Sequence, residues 1–534
     1  MSQTFTEAIV TGEVDRPHWS SAFSRLARRE TLCCFVMFCL TLGIRGALFP
    51  WFPVPIAAVH DEESYLLAGD TYASGRLANP PNPFWEHFDT FHVLQRPVYA
   101  SKYQPLQGMV LAFGEKFFGE PWVGVFFSVG VMCAAMCWML QGWVAPEWAL
   151  AGALLFMLRA GVFGYWMNSY WGGAVPAIGG ALVLGAAARI WRRKQLGHAA
   201  TWALGLAILM HSRPYDAAVL GLLSGVLIVW ALRRSKTPVR ALCFRMALPA
   251  LAILVVSLGA VAYNDSRVTG NALTLPFQLY EKKYVVAPMF SFLPLRPEPV
   301  YQYAAMRELF AGWNVELWRT ARKEFVNTFL ANVGDLYAFF FGLWPFLIPP
   351  LIWPYPLKTA EERITVVLLV AALLLGIAPL IGSQPHYAAA VSGLFYVRFL
   401  QTMARLKAWK PAGREVGMAV ALLCMSLIGY QFARSVTVLF RHGVEVSKFG
   451  LAQAQVLETL KEQPGRQLVL VRYAPDHRFH DEWVNNLANI DAEPIIWAHE
   501  MGPEKDRPFL EHYGDRKVWL LEPDQTPPKL SPYE

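Results

Sequence analysis

Stretches of roughly 17 to 22 mainly apolar residues recur along this chain, parted by short polar or basic connections, and no other feature restricts its fold so strongly. A helix rises about 1.5 Å per residue, so each such run can cross the hydrocarbon core of a bilayer, about 30 Å thick. About eleven runs can be drawn, at 32–52, 123–143, 148–166, 173–190, 199–210, 217–232, 246–263, 336–353, 364–381, 388–403 and 416–432. The run at 199–210 is short and borrows from its flanks, so the count is approximate. Composition agrees: 55% of the 534 residues are hydrophobic and only 16% are charged, a balance unsuited to a soluble enzyme of this size. The expected fold class is therefore a polytopic α-helical membrane protein.

The cysteines (Cys33, Cys34, Cys39, Cys133, Cys137, Cys243 and Cys424) all fall in or beside these runs, which leaves no disulfide framework and no zinc knuckle in the polar segments. The first run lacks a small-residue cleavage site and reads as a retained anchor. Arg25, Arg28 and Arg29 precede it and are expected to hold the N-terminus in the cytoplasm, because basic residues resist translocation.

Alternate connections then carry the basic residues: Arg189, Arg192, Arg193 and Lys194; Arg233, Arg234, Lys236 and Arg240; Lys358 and Arg363; Arg405, Lys407, Lys410 and Arg414. Only "QGWVAPE" is silent. This pattern absorbs much of the net charge of +7 without invoking nucleic acid as a partner. The complementary connections are the loops 53–122 and 264–335, the short "MNSYWG", "HSRPYD" and "GSQPHY", and everything after about residue 435. They hold nearly all the chemically unusual side chains, which suggests one aqueous site at the outer surface of a cytoplasmic (inner) membrane.

In loop 53–122, "HDEESYLLAGDTYASG" reads as a short interfacial helix over 62–74, with Asp61 as its N-cap and Gly75 as its stop. Phe84, Trp85, Phe88 and Phe91 suit the headgroup zone, and "QPLQGMVLAFGEKFFG" reads as an amphipathic or re-entrant helix. The stretch from Asn264 to Phe290 reads as turn-rich with β-like patches, and 314–330 as a second surface helix. After residue 435 a helix over 447–462, the strands "QLVLVRY", "PIIWAH" and "KVWLL" and the helix "DRPFLEHYG" alternate as in a small α/β domain with a parallel sheet, outside the membrane. The domains are thus expected at 1–434 and 435–534.

Asp61, Glu62, Glu63 and Asp70 crowd the first exit from the membrane. Capping and the helix dipole explain such acids locally. Chemistry explains them as well: a carboxylate can take a proton from an attacking hydroxyl, and the nearby Arg96 and Lys102 can stabilise a departing phosphate. Lys102 can equally be an interfacial anchor, and Arg213, His386 and Tyr387 can be helix-end anchors or face the site. Asn168, Tyr170 and Trp171 could wall a sugar, or form an aromatic belt at a tight turn. "DHRFHDEW" places His477, His480, Asp481 and Glu482 together, but in a loop without a closed ligand set, so no metal ligands are assigned.

These features together resemble the GT-C superfamily of integral-membrane glycosyltransferases, notably the bacterial relatives of protein O-mannosyltransferases and aminoarabinose transferases. The family's Asp-Glu motif after the first span matches Asp61 and Glu62, and "DEESYLLAGDTYASGRL" fits its D-E-x-x-Y continuation through Tyr65. Its lysine before a proline-started helix matches Lys102 in "SKYQPLQG", although Tyr103 and Gln104 stand where many relatives have prolines. "PHYAAAVSGLF" is similar to its late outer-facing tyrosine segment.

The resemblance implies transfer of a sugar from a polyprenyl-phosphate-linked donor to a lipid, glycan or protein acceptor. Asp61 would be the general base, Glu62 its tuning partner, and Lys102, Arg96 and Arg213 the cations for the phosphate, with inversion if displacement is direct. A divalent metal could sit at the acids but is not required. The rivals are a lipid or sugar transporter or flippase, and a catalytically inactive scaffold. A transporter needs its polar groups within the spans, where only Arg45, Arg159 and Arg398 stand out.

Overall fold

The computed structural model describes residues 21–235, 237–342, 357–414, 416–442 and 448–533. The helices used below are α1 (Glu30–Ala47), α2 (His60–Ala73), α3 (Pro105–Phe118), α4 (Trp122–Trp143), α5 (Pro146–Phe156), α6 (Ala174–Arg193), α7 (His198–Met210), α8 (Pro214–Arg233) and α9 (Val239–Thr269). Further along come α10 (Pro276–Tyr284), α11 (Asn314–Lys323), α12 (Phe325–Phe341), α13 (Ala360–Gly376), α14 (Ser392–Lys407), α15 (Val416–His442), α16 (Lys448–Lys461) and α17 (Pro503–His512).

Five of them, α1, α4, α6, α8 and α9, are long and apolar enough to cross a membrane, while α7 and α12 are apolar but shorter. Large apolar side chains on these helices face outward, among them Phe35, Leu222, Val226 and Val256, the last 73% exposed. Such a surface belongs in lipid, and the chain is an integral membrane protein. The expected run at 148–166 is α5 continued by a π-helical turn over Met157–Val162. Most of the run at 336–353 lies outside the described residues.

Two expectations change. The stretch from Asn264 to Phe290 is helical where β-like patches were expected: α9 continues to Thr269, and α10 starts at Pro276. Proline at the first helical position loses nothing there, and the Gln278 side chain accepts the Leu275 N–H at 3.1 Å. The surface helix expected over 314–330 breaks at Glu324, whose φ of −120° and ψ of 43° separate α11 from α12.

The membrane portion is built around α4, which packs against α1, α3, α5 and α6. Lipid tails are as apolar as leucine, so helices associate there by close contact, and small residues set how close. A Cβ on Gly180 of α6 would lie 1.8 Å from the Ala390 carbonyl oxygen, so this glycine lets α6 meet the backbone of the 385–391 turn. A Cβ on Gly108 of α3 would lie 2.7 Å from the Ala68 Cβ and 2.8 Å from the Tyr72 ring of α2. The α2–α3 crossing is therefore tight, and it fixes the two ends of the first large loop against each other.

Between α2 and α3 a two-residue ladder pairs β1 (Val93–Leu94) with β2 (Ala100–Ser101), antiparallel. Ser64 of α2 donates to the His92 carbonyl at 2.7 Å and meets Ser101 Oγ at 2.8 Å, tying helix to hairpin. The C-terminal segment carries a four-stranded sheet of β3 (Gln467–Val471), β4 (Ile495–His499), β5 (Lys517–Glu522) and β6 (Lys529–Pro532), in the order β4-β3-β5-β6. β4, β3 and β5 are parallel and β6 is antiparallel to β5. This segment docks on the first loop: Ala488 N–H donates to Asp70 at 2.7 Å, Tyr99 O–H to the Asn486 carbonyl at 2.7 Å, and His87 meets Asp506 at 3.1 Å.

Candidate active site around Asp61

Asp61 is not the N-cap of its helix. α2 begins at His60, its N-cap is Val59, and no side chain bonds the cap position. The carboxylate points instead into the protein, 21% exposed, where the Tyr103 hydroxyl donates to Oδ1. The other oxygen, Oδ2, lies 3.2 Å from His60 Nδ1 and 3.5 Å from His92 Nε2. Burial opposes the charge on Asp61, but the imidazoles of His92 and His60 outweigh it and hold the carboxyl well below the usual carboxylate range. Burial, with the Lys102 ammonium adding to it, pushes His92 down to about 3, so this ring is neutral at pH 7. Tyr103 keeps its proton because burial and the Asp61 charge both raise its pKa.

Lys102 follows directly on the hairpin, its N–H bonded to the His92 carbonyl at 3.0 Å. It is only 8% exposed, and its Nζ sits over the rings of Tyr280, Tyr103 and Phe277 at 4.9, 5.1 and 5.3 Å. Ring faces can hold a cation without using its N–H donors. Burial lowers its pKa to about 8 against the opposing pull of Asp61 and Glu281.

A second wall comes from Arg213, the N-cap of α8, and from the 385–391 turn before α14. The Arg213 guanidinium lies over the Tyr387 ring at 4.9 Å. His386, buried, shares a 2.7 Å hydrogen bond with the Tyr165 hydroxyl and packs against Trp171 with ring centres 4.6 Å apart. Burial, reinforced by the Arg213 charge, keeps His386 neutral. Tyr65 stacks on Tyr103 at 4.2 Å, and the charges of Arg213 and Asp61 both reach it. The structure thus brings Asp61, Tyr65, Lys102, Arg213, His386, Tyr387 and Trp171 into one neighbourhood.

Other expected residues have other partners. Glu62 is 2% exposed, and its oxygens accept the N–H groups of Ala58 and Tyr170, each at 2.8 Å. Burial raises its pKa to about 7 in spite of these bonds. Tyr170 donates its hydroxyl to the Pro55 carbonyl at 2.9 Å, while its own carbonyl takes the Gln107 amide at 2.8 Å. Asn168 accepts from Arg45 at 3.2 Å and donates to the carbonyls of Gly164 and Val162. Glu62, Asn168 and Tyr170 therefore brace the 53–62 turn against the 162–173 loop. Arg96 stands apart, exposed and over the Trp85 ring at 5.0 Å.

Sequence reasoning missed His60, His92 and Tyr103. His60 lies beside the aspartate in "HDEE", but His92 is brought back only by the hairpin, thirty-odd residues on. These side chains fit a divalent cation. His60, Asp61 and His92 each offer one ligand atom, all within 4.8 Å of one another. Two ligands on a tetrahedral ion with bonds of about 2.1 Å are about 3.4 Å apart, close to the 3.2 and 3.5 Å separations from Oδ2. Of these facing atoms, His60 Nδ1 is buried without a hydrogen-bond partner. An ionised carboxylate beside a neutral imidazole has the lone pairs a metal needs.

No family model matches the sequence, and no curated protein matches it. Among solved structures, the chain is similar to the Archaeoglobus fulgidus oligosaccharyltransferase in complex with Zn and sulfate, with a TM-score of 0.48 and 11% identity over 91% of this chain and 67% of that one. It is also similar to ArnT from Cupriavidus metallidurans bound to undecaprenyl phosphate, with a TM-score of 0.48 and 12% identity over 90% of this chain and 92% of that one.

Proposed function

We propose that the chain is a glycosyltransferase that moves a sugar from a polyprenyl-phosphate-linked donor to an acceptor at the outer face of the membrane. One observation carries the reading. An ionised aspartate shares a neighbourhood with two cations, Lys102 and Arg213, that rest on aromatic rings, so that neither spends its donors in an ion pair among the described residues.

In this scheme Asp61 takes the proton from the acceptor hydroxyl or amine as that atom bonds to the anomeric carbon. The bond from that carbon to the phosphate oxygen breaks on the opposite side, and the product has inverted configuration. Lys102 and Arg213 donate to the departing lipid phosphate, which carries the electron pair away as its charge grows. Tyr103 orients Asp61, and Glu62 acts at one remove by fixing the start of α2. Tyr65, Tyr387 and Trp171 supply flat faces for the sugar. A divalent cation held by His60, Asp61 and His92 would supply Lewis-acid charge for a phosphate oxygen.

The same scheme has about eleven spans, the N-terminus in the cytoplasm, and residues 435–534 outside the cytoplasmic (inner) membrane as a separate domain. Arg45 and Arg159, which a transporter could have used, are spent on backbone carbonyls: Arg45 on Phe52 and Pro53, Arg159 on Phe339 and Ala338. The test is incubation of the purified protein in liposomes with radiolabelled polyprenyl-phosphate sugars. Release of polyprenyl phosphate with transfer of label supports the enzyme; movement of intact donor between leaflets without release supports a flippase instead.

A further inference from the structure

The loop between β3 and β4 reaches from the C-terminal sheet to the Asp61 cluster. It is tied at both ends: His477 Nδ1 meets Asp524 at 2.7 Å, Tyr473 donates to Glu482 at 2.5 Å, and the Trp483 N–H returns to the Tyr473 oxygen at 2.8 Å. Between these ties, Phe479 packs near Trp313 with ring centres 6.0 Å apart, and His480 lies next to it. The His480 ring is stacked on His60, centres 5.6 Å apart and planes 17° apart. It is half-buried, and no hydrogen bond holds its ring nitrogens among the described residues.

We propose that His480 is the fourth protein ligand of the metal site formed by His60, Asp61 and His92, so that the site is complete only when the C-terminal segment is docked. The inference rests on the metal reading of the Asp61 cluster given above. Two imidazoles bound to one tetrahedral ion through bonds of about 2.1 Å have ring centres about 5 Å apart. His60 and His92 have ring centres 4.5 Å apart and His60 and His480 5.6 Å, while His480 lies outside the group of ligand atoms within 4.8 Å of one another, so its ring must turn toward the ion to complete the site. Three imidazoles and a carboxylate form a donor set suited to zinc or cobalt and poor for magnesium or calcium, which prefer oxygen. The His480 ring is packed by His60, Phe479 and Trp313 but its nitrogens carry no hydrogen bond among the described residues, so a turn about its side-chain bonds costs no hydrogen bond and can bring a nitrogen to the ion.

Cobalt titration of the chelator-stripped, detergent-purified full-length protein tests this without any activity assay. The wild type is expected to bind one equivalent and to show the intense visible bands of a tetrahedral nitrogen/oxygen site. His480→Ala is expected to weaken binding at least about 10-fold and to dim those bands, as loss of a ligand does. His480→Cys is expected to recover affinity and to add a thiolate-to-cobalt charge-transfer band, which only a direct ligand produces. Equal affinity and an identical spectrum in wild type and His480→Ala would overturn the assignment of His480 while leaving the three-residue site in place. Failure of the wild type itself to bind cobalt would remove the metal reading and this inference with it.

Discussion

Glu62 accepts the backbone N–H of Tyr170 across 2.8 Å, joining the first turn of α2 to a loop more than a hundred residues away in sequence. Asp61, one residue earlier, faces the other way, toward Tyr103 and the two histidines. Neighbouring carboxylates thus point to different partners: one braces the helix start, the other faces the candidate site.

Glu62→Gln leaves one oxygen and one amide group facing two backbone N–H donors, so one donor is stranded. The expected cost is about 1–3 kcal/mol of stability. Thermal unfolding in detergent should show a lower midpoint, with transfer reduced only as far as Asp61 is displaced. An unchanged midpoint would mean that the brace does not matter.

Lys102 must be protonated to serve a departing phosphate, and its pKa is lowered to about 8. Transfer should therefore decline as pH rises through about 8, since deprotonation removes the cation. Lys102→Arg keeps its charge to far higher pH and should retain activity there. Lys102→Gln should lose about 10²–10³-fold below that pH, with the gap to the wild type closing above it. A pH–rate profile of the three proteins decides it.

The crossing of α2 and α3 is set by Gly108. Gly108→Ala drives a methyl into Ala68 and Tyr72 and should cost about 1–3 kcal/mol, with a fall in transfer as Tyr103 moves off Asp61. Gly43→Ala, where nothing lies within 4 Å, is the matched control and should leave both unchanged. Melting curves and initial rates measured side by side make the comparison.

Loop 53–122 is proposed to face outward. A single cysteine at exposed Ser74, in a variant whose native cysteines are replaced, should react with a membrane-impermeant maleimide in intact cells. Reaction only after permeabilisation would invert the topology and remove the proposed site from its acceptor.

The apolar runs were legible because a lipid-facing helix needs unbroken length, and α1, α4, α6, α8 and α9 lie where such runs fall. The strands Gln467–Val471 and Ile495–His499, buried along their whole length, likewise read as short apolar blocks. What could not be read was direction. An aspartate at a helix start caps in most settings, and only the hairpin that returns His92 and Tyr103 shows that Asp61 turns inward. Asn168 and Tyr170 could be read by residue type either as a sugar wall or as an aromatic belt at a tight turn, and what the sequence did not show is that their polar atoms meet Arg45, Pro55 and Glu62, partners from segments distant in sequence. Pro276 and Gln278 did carry a local signal for α10, which the surrounding β-branched and aromatic residues outweighed in the reading of the sequence.

The most direct measurement is the rate of sugar transfer by Asp61→Asn in liposomes, at matched protein level and matched thermal stability. Asparagine keeps the shape and cannot take a proton, so the rate should fall by about 10²–10⁴-fold while donor binding persists. A variant that transfers at the wild-type rate would show that the base lies elsewhere.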